Sequence, residues 1–378
     1  MQQTLEAYLR KFLGPSVRLL KFARLGAGVH GTGFLIEVEK EDVIRSYVLK
    51  DLSPEGLGHD NPSDRASVFL WALDNFNTLP KHIRALDVVA QHEDGTLHSI
   101  GGGKEYFLLM EKADGENYFN DLTEFSKKDL LNDMDIIKIK EMTSYLAGIH
   151  IVKKHSKTLY WRKLRDTIGH GECLMGVFDT YPDGTLSYDK MAEIVKKSVD
   201  WIVRLKPKYK RLSQIHGDFH PGNIWFKEVK SQKSEVSPTA HPSPSRGEGK
   251  GEGEDSEIGT QVDFILLDRS RGPWGDPADD ITALTINYIF FSIKLYGSIK
   301  GPYLDGLRLF FETYVNLTGD HEIYEVVAPF FAFRGAVVAN PIFYPELTLE
   351  QRTLIFNFIN NVLDDDKFEI EKVNNYLK

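Results

Sequence analysis

Hydrophobic and polar residues alternate over several short stretches of the first 110 positions, a pattern that is typical of half-buried strands. We predict strands at 17–25, 33–39, 46–50, 85–92 and 105–112. Between the third and fourth strands the period becomes that of a helix, at about 62–77, with a start signal at Asn61 and Pro62. One face of this helix is apolar, with Phe69, Ala72, Leu73 and Phe76. The first part of the chain therefore reads as a small sheet with one helix.

After Gly115 the hydrophobic period is helical. One helix is predicted to run to about His155, on a face marked by Ile139, Met142, Leu146 and Ile149. Another is predicted at 279–295, and prolines 341 and 345 interrupt the last third of the chain. We therefore expect two lobes: a strand-rich lobe at 1–114 and a larger, mainly helical lobe at 115–378.

Composition fits a globular protein, because 42% of the 378 residues are hydrophobic and 27% are charged. The segment 231–258 differs, since 18 of its 28 residues are Ser, Gly, Pro or Glu and none is aromatic. Such a segment has too little apolar surface to offset its ordering entropy, so we expect a flexible, low-complexity insertion. It is either a regulatory or partner-binding loop or a tolerated surface insertion.

Charge and cysteine content exclude several classes of protein. The net charge of −9 argues against broad nucleic-acid binding, and the single Cys173 rules out an internal disulfide framework and a cysteine-based zinc site. No segment approaches the roughly 20 apolar residues of a membrane helix, and the first residues lack the order of a signal peptide. We expect a cytoplasmic protein that binds neither nucleic acid nor membrane; nothing in the sequence indicates its oligomeric state.

A glycine-rich stretch lies between the first two predicted strands. Gly26, Gly28 and Gly31 form a G-x-G-x-x-G pattern, in which the backbone can approach phosphate oxygens closely. Its position between two strands disfavours a dinucleotide-binding unit and suits the phosphate flap of a kinase, while a plain hairpin turn is the alternative. Lys50 ends the third strand, where it can reach the α- and β-phosphates of a nucleotide.

The most specific signal is His-Gly-Asp followed, after four residues, by Asn. In this motif Asp218 can accept a proton from a substrate hydroxyl group. Asn223 can ligate Mg²⁺ through its amide oxygen, which is a hard ligand for a hard ion. His216 is interpreted as a structural residue behind the loop. His220 forms an Asp-x-His pair with Asp218, which leaves a metallophosphatase as an alternative.

A second carboxylate follows an apolar strand at 264–267. Asp268 ends this strand and is positioned for a metal ion, with a turn aspartate as the alternative reading. Asp263 opens the strand instead of closing it, so we reject it as a ligand.

With these residues the chain, from about position 17 to 295, resembles the aminoglycoside phosphotransferase and choline kinase group of protein-kinase-like enzymes. The resemblance implies an α+β, protein-kinase-like fold of two lobes: a small N-terminal antiparallel sheet with one helix, and a larger, mainly helical C-terminal lobe. It implies ATP and Mg²⁺ as cofactors. It also implies a hinge in which the backbone of Glu111 and Ala113 holds adenine, with Met110 behind the base. Asp280 is expected to support the catalytic loop.

Two features depart from the family. No Glu occurs between positions 55 and 93 to pair with Lys50; Asp64 is a shorter substitute. After Asp268 stand Arg269 and Ser270 where the family has an aromatic residue; Arg269 or Arg271 either neutralises phosphate charge or is a surface arginine.

The expected function is an ATP-dependent phosphotransferase that moves the γ-phosphate to a hydroxyl of a small molecule, which is aminoglycoside-, choline-, homoserine- or sugar-like. Alternatives are an inactive nucleotide-binding scaffold of the same fold and the metallophosphatase. The residues expected to line the acceptor cleft are Trp274, Asn287, Tyr288 and Arg334.

Overall fold

The computed structural model describes residues 2–28, 31–54, 58–78, 83–106, 108, 110–227, 262–269 and 271–378. The chain divides into two compact units, Met1–Glu111 and Lys112–Lys378, where the sequence places a boundary after Asp114. The first unit is rich in strands and the second is mainly helical, so the predicted α+β class is confirmed. The described residues of the first unit form two helices, Gln2–Leu13 and Pro62–Phe76, where the sequence predicts one. The insertion predicted at 231–258 lies outside the described residues. None of the helices in the described ranges is long and apolar enough to cross a membrane.

The first unit combines one antiparallel sheet of order β1–β2–β3 with a separate two-stranded hairpin, β4–β5. In chain order its elements are α1 (Gln2–Leu13), β1 (Arg18–Gly28), β2 (Gly31–Lys40), β3 (Val43–Lys50), α2 (Pro62–Phe76), β4 (Val89–Gln91) and β5 (Leu97–Ser99). Alternation along β2 buries Ile36 and Val38 on one face of the sheet. The core of the unit forms where this face meets Leu5, Tyr8 and Leu9 of α1.

Two of the predicted strands of this unit need correction. The strand predicted at 85–92 is only three residues long, Val89–Gln91, and the described residues of 105–112 form no strand. Leu108 is 82% exposed and Met110 is 67% exposed, so burial of these apolar side chains does not stabilise a paired strand there. The other three predicted strands and the helix at 62–77 are confirmed within a few residues.

The second unit packs ten α-helices, as far as the described residues show, around two small antiparallel sheets of order β6–β8–β9 and β10–β7. Its helices are α3 (Tyr118–Glu124), α4 (Asp133–His150), α5 (Lys157–Gly169), α6 (Leu174–Asp179), α7 (Tyr188–Leu205), α8 (Pro277–Tyr296), α9 (Gly301–Thr318), α10 (Ile323–Val326), α11 (Ala328–Val338) and α12 (Leu349–Asp364). Its strands are β6 (Glu116–Asn117), β7 (Ser213–Gln214), β8 (Ile224–Phe226), β9 (Phe264–Leu266) and β10 (Trp274–Gly275).

Helix α8 is the centre of the second unit, since it packs against α9, α11 and α12. Asp276 caps it by accepting from Ala278 N at 3.0 Å, Pro277 occupies its first turn, and Gly297 ends it at φ 62°. Helix α4 ends at His150, five residues before the predicted end at His155. The chain beyond His150 leaves the helix because Val152 O accepts from Gln214 N at 2.8 Å, which pairs this segment with β7.

Candidate active site

The loop between β7 and β8 carries both Asp218 and Asn223. A 3₁₀ turn, Pro221–Asn223, shapes its second half, and β8 then pairs with β9 in the interior of the second unit. Asn223 Nδ2 donates to Asp218 O at 3.0 Å, which closes the loop on itself. The motif that the sequence singles out is therefore a short, internally bonded loop at the end of a buried strand.

The backbone of this loop is held from behind by Asp280, as the sequence predicts. Asp280 Oδ2 accepts from His216 N and Oδ1 accepts from Gly217 N, each at 2.7 Å. His150 Nε2 lies 3.2 Å from Oδ2 of the same carboxylate. Gly217 has φ 88°, a conformation that favours glycine, so the turn before Asp218 depends on this residue type.

Asp218 lies between two guanidinium groups. Arg334 Nη1 donates to Asp218 Oδ1 at 2.6 Å, and Arg271 Nη2 lies 3.5 Å from the same oxygen. Burial favours the neutral acid, but the charges of Arg334 and Arg271 outweigh it and lower the pKa of Asp218. Asp218 is therefore a carboxylate at neutral pH, which is the form that can accept a proton.

Asp268 lies just after β9, which is the strand next to the candidate loop. Leu267 N donates to Asn223 O at 2.9 Å, so Asp268 stands one residue from the chain segment that bears Asn223. Asp268 is exposed and has φ 51°, in the left-handed region, so the chain turns sharply after the strand. The second unit thus brings Asp218, Asn223 and Asp268 together on two neighbouring loops.

Magnesium prefers oxygen ligands and usually binds one or two protein side chains together with phosphate oxygens and water. The oxygen atoms of the two loops match this preference. The Asn223 amide uses Nδ2 to bond the loop, so its oxygen is the atom that suits a cation, and Asp268 offers a carboxylate. Within the described ranges, no three His, Cys, Asp or Glu side chains could together hold a metal ion. The described residues thus give no support to the binuclear metallophosphatase alternative.

The two histidines of the motif bond the loop backbone. His216 Nδ1 accepts from Asp218 N at 3.2 Å, and His220 Nδ1 accepts from Gly222 N at 3.1 Å. Burial is the main cause that lowers the pKa of both rings, which favours the neutral form that accepts at Nδ1. The interpretation of His216 as a structural residue agrees with these contacts.

The two candidate arginines after Asp268 differ in role. Arg269 directs its guanidinium into the fold, where Nη2 donates to Ile215 O at 2.8 Å and Nε donates to the same oxygen at 3.1 Å. Arg271 stacks over Phe333, with its guanidinium carbon 4.7 Å from the ring centroid, and faces Asp218. Arg269 therefore stabilises the loop, while Arg271 is the arginine beside the candidate base.

The remaining predicted site residues belong to the first unit, apart from Ala113. Gly26 and Gly28 pair with Gly33 and Gly31 at the end of the β1–β2 hairpin. A Cβ atom on Gly31 would stand 2.1 Å from Asp51 O, so a close backbone approach requires this glycine. Met110 and Glu111 are exposed and precede the division between the two units, and Ala113 follows it.

Lys50 is exposed at the end of β3 and forms no ion pair with any described residue. Asp64, the substitute partner considered from the sequence, is engaged at the start of α2, where it accepts from Asn61 N at 2.8 Å and from Asn61 Nδ2 at 3.0 Å. The carboxylate of Asp64 thus serves the helix cap.

The structure corrects the residues suggested as lining an acceptor cleft. Tyr288 is fully buried and shares a hydrogen bond with Tyr118 at 3.0 Å, and Asn287 is 2% exposed, so both belong to the core. Arg334 is also buried, but it contacts Asp218, a role that the sequence analysis missed. No sequence signal links Arg334 to the motif, because the two residues are 116 positions apart.

No family model and no curated protein matches the chain. Several solved structures of small-molecule kinases are similar to it. A thermostable mutant of an aminoglycoside phosphotransferase is 12% identical, over 100% of this chain and 97% of that one, with a TM-score of 0.31. An ethanolamine kinase of Plasmodium vivax is 13% identical, over 95% and 80%, with a TM-score of 0.31. A glucosamine kinase is 10% identical, over 96% and 91%, with a TM-score of 0.34.

These three kinases belong to the group that the sequence resembles. Identities and TM-scores of this size carry no argument about the activity of this chain. Its function is therefore proposed from its own residues.

Proposed function

We propose that this protein is an ATP-dependent phosphotransferase that moves the γ-phosphate of ATP to a hydroxyl group of a small molecule. The observation that carries the proposal is the arrangement of Asp218, Asn223 and Asp268 on two neighbouring loops of the second unit. Phosphoryl transfer needs little covalent chemistry from a protein, but it needs a positioned acceptor and neutralised charge. This arrangement offers a carboxylate that can position the acceptor, and oxygen ligands for a cation that neutralises charge.

Each residue has a distinct role in this proposal. Asp218 orients the acceptor hydroxyl and takes its proton, since its lowered pKa keeps it ionised. Asn223 and Asp268 hold Mg²⁺, which when bound neutralises charge on the phosphates. Lys50, with Gly26, Gly28 and Gly31, binds the triphosphate. The backbone of Glu111 and Ala113 holds adenine, with Met110 behind the base.

Arg271 is the further cation that we assign to the transferred phosphoryl group. Its guanidinium lies 3.5 Å from Asp218 Oδ1, and its Nε and Nη1 find no hydrogen-bond partner among the described residues. Buried donors without partners are costly, so a negatively charged oxygen near them is stabilised.

The acceptor is proposed from the group of enzymes that the His-Gly-Asp motif and its neighbouring segments resemble. We propose an acceptor that is aminoglycoside-, choline-, homoserine- or sugar-like. ADP release, measured over a panel of hydroxylated metabolites and antibiotics, identifies which compound is phosphorylated.

The decisive experiment is Asp218→Asn, assayed with the best acceptor of that panel. We expect the variant to bind Mg-ATP as the wild type does and to lose turnover by a factor on the order of 10²–10⁴, because a positioned proton acceptor contributes that much. Asp263→Asn is the matched control, since Asp263 is exposed at the start of β9 and pairs with Lys227 on the surface. Near-normal turnover of Asp218→Asn refutes the assigned role.

One observation favours the inactive scaffold as a second candidate. Lys50 forms no ion pair with the described residues, and Asp64 is engaged in a helix cap. A scaffold predicts tight Mg-ATP binding by titration calorimetry, no ADP release with any acceptor, and no slow ATP hydrolysis. Hydrolysis of ATP that requires Asp218 decides for the enzyme.

A further inference from the structure

Arg334 connects three parts of the second unit with one guanidinium group. The residue lies on α11 and is 4% exposed. Its Nη1 donates to Asp218 Oδ1 at 2.6 Å. Its Nη2 donates to Gly217 O at 2.9 Å and to Asp279 Oδ1 at 2.6 Å. A residue remote in sequence thus bonds the side chain and the backbone of the candidate catalytic loop together with the first turn of α8.

The orientation of this guanidinium group is itself fixed. Its central carbon lies 4.6 Å from the centroid of the Phe333 ring, so the planar group is packed against an aromatic side chain. The charged groups that pair with or face it are Asp218, Asp279 and Arg271. Two carboxylates and two guanidinium groups therefore share a buried cluster, in which Arg334 pairs with both Asp218 and Asp279.

The two oxygens of Asp218 are held unequally. Oδ1 receives the short bond from Arg334, whereas Oδ2 lies 3.5 Å from Asn223 Nδ2 and 3.8 Å from His220 Nε2. Distances of this length are beyond those of ordinary hydrogen bonds. Oδ2 is thus the oxygen left to accept a proton from an acceptor hydroxyl.

We infer that Arg334 is a positioning residue, which fixes Asp218 through Oδ1 and so presents Oδ2 to the acceptor. This inference rests on the proposed phosphotransferase function. The inference goes beyond that function because it names which oxygen of Asp218 accepts the proton and which side chain, remote in sequence, positions that oxygen. Arginine suits this task better than lysine, because a planar fork serves several acceptors at once while an ammonium group is a point charge.

The test is Arg334→Lys, which keeps the positive charge and loses the fork. We expect kcat to fall by a factor on the order of 10², as for a misplacement of about 1 Å in a catalytic group, with the Kd for Mg-ATP unchanged. A second variant combines Arg334→Lys with Asp279→Asn, so that the lysine has only the carboxylate of Asp218 to neutralise. This double variant is used if Arg334→Lys alone unfolds the protein. The double variant is expected to lose kcat as well.

Arg352→Lys is the matched control. Arg352 is 5% exposed on α12, and among the described residues its guanidinium donates only to backbone carbonyls: Ala339 O at 2.6 Å, Tyr344 O at 2.7 Å and Leu347 O at 3.2 Å. Its replacement removes a comparable buried fork without touching the loop. A purely structural role for Arg334 predicts the same outcome for both variants: a lower Tm and unchanged kcat per folded molecule.

Hydrogen–deuterium exchange of the peptide spanning 215–223 supplies a readout that needs no activity. Faster exchange in Arg334→Lys, with wild-type exchange in Arg352→Lys and a selective loss of kcat, supports the inference. Wild-type exchange together with wild-type kcat in Arg334→Lys overturns it. If the wild-type protein phosphorylates no acceptor, the proposed function fails, and exchange alone then decides whether Arg334 holds the loop.

Discussion

At the scale of single residues, the conformation of the candidate catalytic loop depends on one buried carboxylate. Asp280 accepts from two successive backbone N–H groups, those of His216 and Gly217. Burial raises the pKa of Asp280, but hydrogen bonds from His150 and from the backbone lower it further than burial raises it. An ionised carboxylate accepts through both oxygens, which is why this residue type suits the position.

We expect Asp280→Asn to destabilise the protein by about 1–3 kcal/mol, because the amide turns an NH₂ group toward one of the two backbone donors and leaves it unsatisfied. Turnover should fall as well, since the loop that bears Asp218 loses part of its support. Urea unfolding at pH 7 and ADP release measure the two effects. Asp129→Asn, at an exposed position of the same unit, should change neither. An unchanged urea midpoint for Asp280→Asn contradicts the assignment.

The candidate residues that the sequence singles out lie in local motifs. Asp218, Asn223 and Asp280 stand in segments whose spacing is specific, and the structure places Asp280 under the loop as expected. Arg334 was missed in this role because its link to the loop is purely tertiary. Asp279 directly precedes Asp280, but nothing in the sequence indicates that it shares an arginine with Asp218.

At the scale of elements, the approach of α11 to α12 depends on a glycine. A Cβ atom on Gly335 would stand 2.6 Å from Cγ1 of Ile359, a fully buried, β-branched residue. Gly335→Ala should therefore cost about 1–3 kcal/mol of stability through overpacking, although alanine is the better helix former. Thermal and urea unfolding of the variant measure this cost.

Gly148→Ala is a control for which the opposite change in stability is expected. Gly148 lies in α4, is exposed, and a Cβ atom there would meet nothing within 4 Å. The substitution should stabilise the protein by up to about 1 kcal/mol, since alanine loses less conformational freedom on folding. If both alanine variants shift the unfolding midpoint in the same direction, the close helix contact does not govern the Gly335 position.

The elements that could be predicted are those whose pattern is reinforced by local signals. Helix α2 has Asn61 and Pro62 at its start, and α8 has Asp276 and Pro277. The strand predicted at 105–112 failed because alternation alone does not supply a neighbouring strand, and its described apolar residues are exposed. Strand formation depends on a partner that the local sequence does not reveal.

At the scale of the whole molecule, a buried ionic network ties distant helices of the second unit together. Asp276 Oδ2 accepts from Arg211 Nε and from Tyr160 of α5, each at 2.9 Å, while it caps α8. Arg211 also donates to Asp320, beyond α9, at 2.7 Å and 2.9 Å. Breaking one partner of such a network leaves an uncompensated buried charge, so the network couples the packing of these helices to pH.

Acid should unfold the second unit through this network. Burial raises the pKa of Asp276, but the charge and hydrogen bonds of Arg211 lower it to below its ordinary value. The stability that Asp276 contributes is therefore fully present above about pH 4, its unfolded pKa, and is lost as the pH falls through the lower folded value. Asp276→Asn should be less stable than the wild type at pH 7, and the difference should shrink below pH ~4. Urea midpoints between pH 7 and pH 3, with Asp129→Asn as the control, test this; a difference that stays constant over that range contradicts it.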